Sequence, residues 1–275
     1  MDAVTATEAP VEIATDKLGR KFGDFAAVAE VTIAVQRGEI FGLIGSNGAG
    51  KSTLVKMLTT LLPPSAGSAT VAGYDLVREA AEVRRHIGYV PQLLSTDGSL
   101  TGYENMLLSA RLYGVPGRER RQRIAEALDA LGLADAAKRL VQHYSGGMIR
   151  RLEIAQSMLH RPSILFMDEP TVGLDPLARD QVWEHVRALR RDFGMTILLT
   201  THYLDEADLL CDRIAVMNHG RIVACDTPAA LKAAIGPGAT LDDAFVKLTG
   251  ASAGMETEGA FSDTRRERRS EVRHG

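Results

Sequence analysis

The chain has 275 residues, a formal net charge of −3, 45% hydrophobic residues and 24% charged ones. That length buries a substantial core without disulfide or metal staples, and the slightly acidic balance argues against a dedicated nucleic-acid binder, which needs a basic face. The best apolar runs, residues 164–167 and 195–199, fall far short of the roughly 20 residues of a membrane-spanning helix.

Residues 1–11 read as a loose leader, acidic and without the basic start and apolar core of a secretory signal. Val31, Ile33 and Val35 alternate with smaller or polar residues and predict a half-buried strand. Arg37-Gly38 makes a turn, and residues 40–44 form a buried strand that runs into Gly45. From Lys51 the period changes: Leu54, Val55 and Leu58 share one helical face, and Pro63-Pro64 ends the pattern. Short strands follow at 69–71 and 87–90. Residues 93–160 are mostly helical, with one stripe at Ile124, Leu128 and Leu131 and another at Leu152, Ala155 and Leu159.

Residues 164–167 form a continuous apolar run, the pattern of a parallel strand covered on both faces. Asp175-Pro176 is a helix start, an N-cap followed by proline at the first position, and Gly194 is its stop. Residues 195–199 make another buried strand; residues 214–217 and 221–224 flank Asn218-His219-Gly220 as a hairpin. Alternating strands and helices predict an α/β sheet interrupted by a helical insert. Residues 256–275, with Arg265-Arg266 and Arg268-Arg269, read as a disordered tail. Cys211 and Cys225 belong to no CxxC pair and read as small buried hydrophobes.

Three elements carry chemistry. Gly45-Ser46-Asn47-Gly48-Ala49-Gly50-Lys51-Ser52 matches G-x-x-x-x-G-K-S/T between a strand and a helix, and Thr53 continues that helix. Its glycines let backbone N–H groups converge on phosphate oxygens, and the helix N-terminus adds partial positive charge. Lys51 is placed to reach the β- and γ-phosphates and Ser52 to ligate Mg²⁺. Asp168-Glu169 ends the apolar strand; Asp168 fits the second Mg²⁺ ligand, and Glu169 the base that activates water. Ser145 and its glycines, at a helix start, form a second anion site.

With Tyr144-Ser145-Gly146-Gly147-Met148 standing between these two elements, the chain resembles the ABC ATPases, whose signature is usually written LSGGQ. Val90-Pro91-Gln92 resembles their Q-loop, Gly173-Leu174-Asp175 their D-loop and Thr200-Thr201-His202 their switch histidine. Phe22 stands where an aromatic stacks on adenine, and the resemblance covers roughly residues 12–228. It implies an α/β P-loop NTPase fold with a RecA-like core, an antiparallel β element and an α-helical subdomain. The nucleotide-binding domain spans 12–230 with its helical subdomain at 93–160, followed by a C-terminal extension at 231–255.

The resemblance implies ATP and Mg²⁺ as cofactors and a head-to-tail homodimer, in which Ser145, Gly146, Gly147 and Asp175 of one chain close over the nucleotide of the other. It also implies that His202 meets the γ-phosphate and that Gln92 senses Mg²⁺ and the attacking water. Tyr144 and Met148 depart from the usual Leu and Gln at outer positions of the signature, which bear on packing and on communication with a partner; Ser46, in place of a frequent Pro, leaves the nest of N–H groups feasible.

Residues 144–155, residues 201–208 and the segment 241–250 are similar to daunorubicin-resistance-type ATPases. That likeness implies drug or antibiotic export through a separate transmembrane permease, from the cytoplasmic face of the cell membrane. Leu93, Leu94, Leu100 and Tyr103 are candidates for a groove that takes a permease helix. The alternative is a soluble ABC ATPase that acts on nucleic acid or the ribosome. Such proteins usually carry two cassettes or a long coiled coil, and neither is read here.

Overall fold

The computed structural model describes residues 9–250. In chain order come β1 (Val11–Phe22), β2 (Phe25–Val31), β3 (Ala34–Gln36), β4 (Ile40–Ile44) and α1 (Lys51–Leu58). They are followed by β5 (Ala66–Val71), β6 (Tyr74–Asp75), α2 (Ala80–His86) and β7 (Ile87–Val90). Three helices then intervene, α3 (Gly102–Leu112), α4 (Gly117–Ala130) and α5 (Gly146–Met158). The chain returns with β8 (Ile164–Asp168), α6 (Pro176–Phe193), β9 (Thr196–Thr201), α7 (Leu204–Leu210), β10 (Arg213–Asn218) and β11 (Arg221–Asp226). It closes with α8 (Pro228–Ala233) and α9 (Leu241–Thr249).

The sheets are two. One is antiparallel, ordered β2-β1-β5-β6, with β3 also on β1. The other runs β11-β10-β4-β9-β8-β7, parallel throughout except for β11 at its edge. Its central strands are buried at every position, and their side chains alternate between two cores. Ile164, Phe166, Leu198 and Phe41 pack with α1 and the antiparallel sheet. Leu165, Met167, Ile197 and Leu199 pack with Ile124, Leu152 and Val182 of the helices. Each such side chain contributes about 1.5–3 kcal/mol by leaving water.

Local chemistry sets the helix ends. Asp175 Oδ1 accepts from Ala178 N at 2.9 Å, with Pro176 in the first turn, and Gly194 ends α6 at φ 63°. Thr101 and Glu104 form a reciprocal capping box on α3, and Thr240 with Asp243 another on α9. Among the described residues no helix is long and apolar enough to cross a membrane.

The structure moves several boundaries. β1 begins at Val11, so the last residue assigned to the leader is the first of a strand, and Ile13 is fully buried. The single strand expected over 31–35 is split between β2 and β3, which pair with successive stretches of β1, residues 18–22 and 11–14; at the break the Thr15 hydroxyl takes the place of ladder bonds, donating to Val31 O and accepting from Ile33 N. α1 ends at Leu58, well before Pro63: Thr59 Oγ1 turns back onto Val55 O, and Thr60 takes φ 61°. β9 reaches Thr201 rather than stopping at 199. The expected tail at 256–275 lies outside the described residues.

The β10–β11 hairpin turns on His219 and Gly220, with φ of 47° and 78°, as a two-residue type I′ turn requires. The turn also buttresses the loop after β4. Gly220 N donates to Ala49 O at 2.9 Å, and Ala29 N donates to Gly220 O at 2.8 Å. A Cβ on Gly220 would sit 2.9 Å from Ala27 O. Gly220→Ala is therefore expected to destabilise the fold by about 1–3 kcal/mol through strain and a backbone clash, read as a lower urea midpoint at unchanged slope.

Candidate functional site

Residues 45–50 link the end of β4 to the start of α1 and wind tightly. Gly48 and Gly50 hold φ of 79° and 107°. A Cβ on Gly45 would meet Met217 O at 2.5 Å, and one on Gly50 would meet Ala27 O at 2.4 Å, so both positions exclude a side chain. Asn47 and Ser46 are exposed at the rim, while Ala49 is buried. Among the described residues, the N–H groups of Gly48, Gly50, Lys51 and Ser52 have no acceptor. Free N–H groups at a helix N-terminus make a cradle for an anion, which fits the phosphates of a nucleotide. Thr53, half-buried, lies one residue further into α1.

Lys51 lies across this loop, 4% exposed, donating from Nζ to Gly45 O at 2.7 Å and to Ser46 O at 3.2 Å. Burial pulls its pKa below the usual lysine range, and Glu169 and Asp168 pull it back. An anion held in the loop would favour its charged form in the same way.

The two carboxylates at the end of β8 are buried too, Asp168 at 2% and Glu169 at 7% exposure. Asp168 Oδ1 accepts from Ser52 Oγ at 3.1 Å and from Thr200 Oγ1 at 2.7 Å. The Ser52 and Asp168 oxygens are hard donors of the kind Mg²⁺ prefers. Glu169 gathers three groups: Lys51 Nζ at 3.5 Å from Oε1, and at Oε2 Gln92 Nε2 at 3.2 Å and His202 Nδ1 at 3.4 Å. Four sequence-predicted residues thus meet at one point, although they come from α1, the segment after β7, the end of β8 and the segment after β9.

The remaining predicted residues stand elsewhere. Ser145 caps α5, its Oγ accepting from Met148 N at 3.3 Å. Gly146 and Gly147 let α5 approach α6: added Cβ atoms would lie 3.1 Å from Leu174 Cδ2 and 2.9 Å from Ala178 Cβ. Asp175 caps α6 beside them. Among the described residues, these contacts join α5 to α6 and the turn before it, and none of them is to the phosphate loop. Tyr144 serves packing: its OH donates to Ala136 O at 2.7 Å, and the Arg139 guanidinium lies 5.1 Å from its ring. Phe22 sits at the end of β1, half-exposed, with the Arg20 guanidinium 4.8 Å from its ring and exposed Phe25 paired opposite.

Some residues were missed in the sequence. Thr200 Oγ1, besides donating to Asp168, accepts from Glu169 N at 2.9 Å, so one hydroxyl bridges both acidic residues. Glu206, 5% exposed, accepts from Thr171 Oγ1 and Thr201 Oγ1, with Arg179 Nε 3.5 Å away. This network ties the segment after β8 to the segment after β9. The available signal was a pair of threonines closing a wholly buried strand.

Fold and site together define a phosphate-loop nucleoside triphosphatase. The family model described as ABC transporter matches residues 28–172. The chain is 50% identical over 224 residues to the daunorubicin/doxorubicin resistance ATP-binding protein DrrA of Streptomyces peucetius, covering 82% of this chain and 68% of that protein. It is 41% identical over 252 residues to the probable multidrug ABC transporter ATP-binding protein YbhF of Escherichia coli K12, covering 90% of this chain but only 43% of that longer protein. A solved ATP-binding subunit of an ABC transporter superposes with a TM-score of 0.75 at 32% identity, covering 86% of this chain and 98% of its own. The chain belongs to the ABC transporter family, as an ATP-binding subunit that hydrolyses ATP.

Thr200→Val keeps the shape of the side chain but leaves a buried carboxylate and a buried N–H each short of a partner. Each keeps a second partner, Ser52 Oγ for Asp168 and the Thr200 carbonyl for Glu169 N, so the expected cost is about 0.5–1.5 kcal/mol of stability per lost hydrogen bond, seen in urea unfolding. The variant is also expected to bind MgATP more weakly in a fluorescent-nucleotide titration.

Proposed function

We propose that the chain drives export of a drug or antibiotic through separate transmembrane permease subunits, with two copies closed head-to-tail on two ATP molecules. The observation that carries the catalytic part is the meeting of Lys51, Gln92 and His202 on the Glu169 carboxylate. Glu169 is the general base that takes a proton from water attacking the γ-phosphate. His202 and Gln92 hold its Oε2 in place and orient that water. Lys51 and the free N–H groups of the loop, residues 48 and 50–52 among them, bind the phosphates, and Phe22 offers its exposed ring to the adenine. Ser52, Asp168 and Gln92 would hold Mg²⁺. Bound there, the ion neutralises phosphate charge and polarises the bond to be broken.

The dimer is supported by the placement of Ser145, Gly146, Gly147 and Asp175, whose contacts join α5 to α6 and the turn before it rather than to the chain's own phosphate loop. A helix N-terminus flanked by glycines suits a phosphate presented by a second copy. Export is supported by the named relatives, DrrA being a resistance protein and YbhF a probable multidrug transporter protein.

The permease is supported by an apolar surface beside the Q-loop. Leu93, Leu94, Leu108 and Leu112 are exposed there, next to a cavity of about 200 Å³ between the Q-loop, α3 and α5. Exposed leucines beside such a cavity suit the docking of a partner. It would hold the subunit to the cytoplasmic face of the membrane, peripheral to the permease.

Glu169→Gln removes the base and keeps the shape. Hydrolysis is expected to fall by about 10²–10⁴-fold, while size-exclusion chromatography shows a dimer with MgATP and a monomer without it. Undiminished turnover by a variant that stays monomeric at every ATP concentration would overturn both the base and the dimer.

A further inference from the structure

Arg150 and Glu153 lie one turn apart on α5, the helix that Ser145 caps, and are 2% and 3% exposed. Arg150 Nη1 stands 3.0 Å from Glu153 Oε2. Burial works against both charges, lowering the pKa of the arginine and raising that of the glutamate. A buried ion pair of this kind contributes little net stability, since well-packed apolar residues of similar volume often serve as well or better. Its other bonds show what it does hold. Arg150 donates from Nη1 to Pro91 O at 2.7 Å and from Nη2 to Gln92 O at 3.0 Å. Glu153 Oε1 accepts from the backbone N and the Oγ of Ser95. The four residues from Gln92 to Ser95 are exposed, so this stretch is fixed at both ends to α5 by the two buried side chains.

We propose that Arg150 and Glu153 are positioning residues, a buried clasp that ties the backbone of Gln92 to the helix carrying Ser145, Gly146 and Gly147. The inference rests on the role proposed above for Gln92. Its consequence is mechanical. Any shift of α5 as its N-terminus closes on a partner's nucleotide moves the Gln92 backbone with it, and with that the 3.2 Å contact to Glu169. The contact between Gln92 and the carboxylate is thereby tied to the position of the signature helix. Neither side chain touches the reacting atoms.

The test is the double variant Arg150→Met, Glu153→Met in the full chain. It keeps buried volume, removes both charges together and leaves no unpaired ion behind. Three quantities are read: the Kd for MgATP, the single-turnover hydrolysis rate, and hydrogen exchange of backbone amides in residues 91–96. The expected result is a Kd within about twofold of wild type, a rate lower by about ten- to 10²-fold as a misplaced orienting group costs, and faster exchange confined to 91–96. Wild-type hydrolysis in a folded double variant, with or without faster exchange, would overturn the clasp.

If the double variant does not fold, Ser95→Pro removes the N–H that Glu153 accepts while leaving the buried pair intact. It is expected to show the same split between rate and Kd, about threefold in size given that only one of the tethers is cut; wild-type hydrolysis there overturns the clasp equally. Gln92→Ala separates this inference from the reading it rests on. Hydrolysis lost in Gln92→Ala but intact in the loosened variants sinks the clasp alone. Hydrolysis untouched by Gln92→Ala sinks the role of Gln92 and the clasp together.

Discussion

Two adjacent carboxylates, Asp168 and Glu169, are held almost dry at the end of one strand, and the rest of the molecule is arranged around keeping them there. An uncompensated buried charge is expensive, so each needs partners. Asp168 finds two hydroxyls, Ser52 and Thr200, and Glu169 finds an ammonium, an amide and an imidazole. None of these is close in sequence to the carboxylate it meets. They are brought together by the order of the parallel strands. β4, β9, β8 and β7 lie side by side, and the segment leaving each strand's C-terminal end delivers one part: Lys51 and Ser52, then Thr200 and His202, then the two acids, then Gln92. Ligand sites of open parallel sheets form at that edge for this reason.

The same strand order explains what could be read in advance and what could not. Local patterns were legible because their causes are local. Glycines at 45 and 50 sit where a Cβ would strike backbone, Asp175-Pro176 caps a helix, and residues 164–167 are apolar because both faces are covered. The turn at His219-Gly220 was legible too, though not its second task of bracing Ala49. Thr200, Glu206, Arg150 and Glu153 were not legible, since their significance lies in partners dozens of residues away. Boundaries failed for a related reason. The sequence from 31 to 35 alternates like one strand, yet the pairing with β1 is interrupted where the Thr15 hydroxyl bonds Val31 O and Ile33 N in place of the ladder. Helix α1 ends at a threonine whose hydroxyl returns to Val55, ahead of any proline.

The signature segment shows how one residue type can answer two demands. Glycines there were expected from the need to bring backbone close to an anion. In the folded chain they also let α5 lie against the start of α6, where Leu174 and Ala178 leave little room for a side chain. The departures at Tyr144 and Met148 belong to the packing half of this arrangement. Tyr144 anchors the segment to Ala136, and Arg139 reaches both its ring and the Met148 sulfur. The Ser-Gly-Gly core is thereby held by its own flanks, and its polar face stays available.

Glu169 itself carries a backbone cost. Its φ of 48° is in the left-handed region, where a side-chain-bearing residue is disfavoured by about 1–3 kcal/mol. The conformation persists because Glu169 N donates to both the hydroxyl and the carbonyl of Thr200, at 2.9 and 3.2 Å, which fixes the peptide just after β8. Asp168, still in the strand, keeps its side chain toward Ser52 and Thr200, while the turned backbone carries Glu169 to Lys51, Gln92 and His202. Two neighbouring acids that would otherwise repel in one pocket are thus aimed at two different sets of partners. The strain separates them, and Thr200, bonded to both, holds that separation in place.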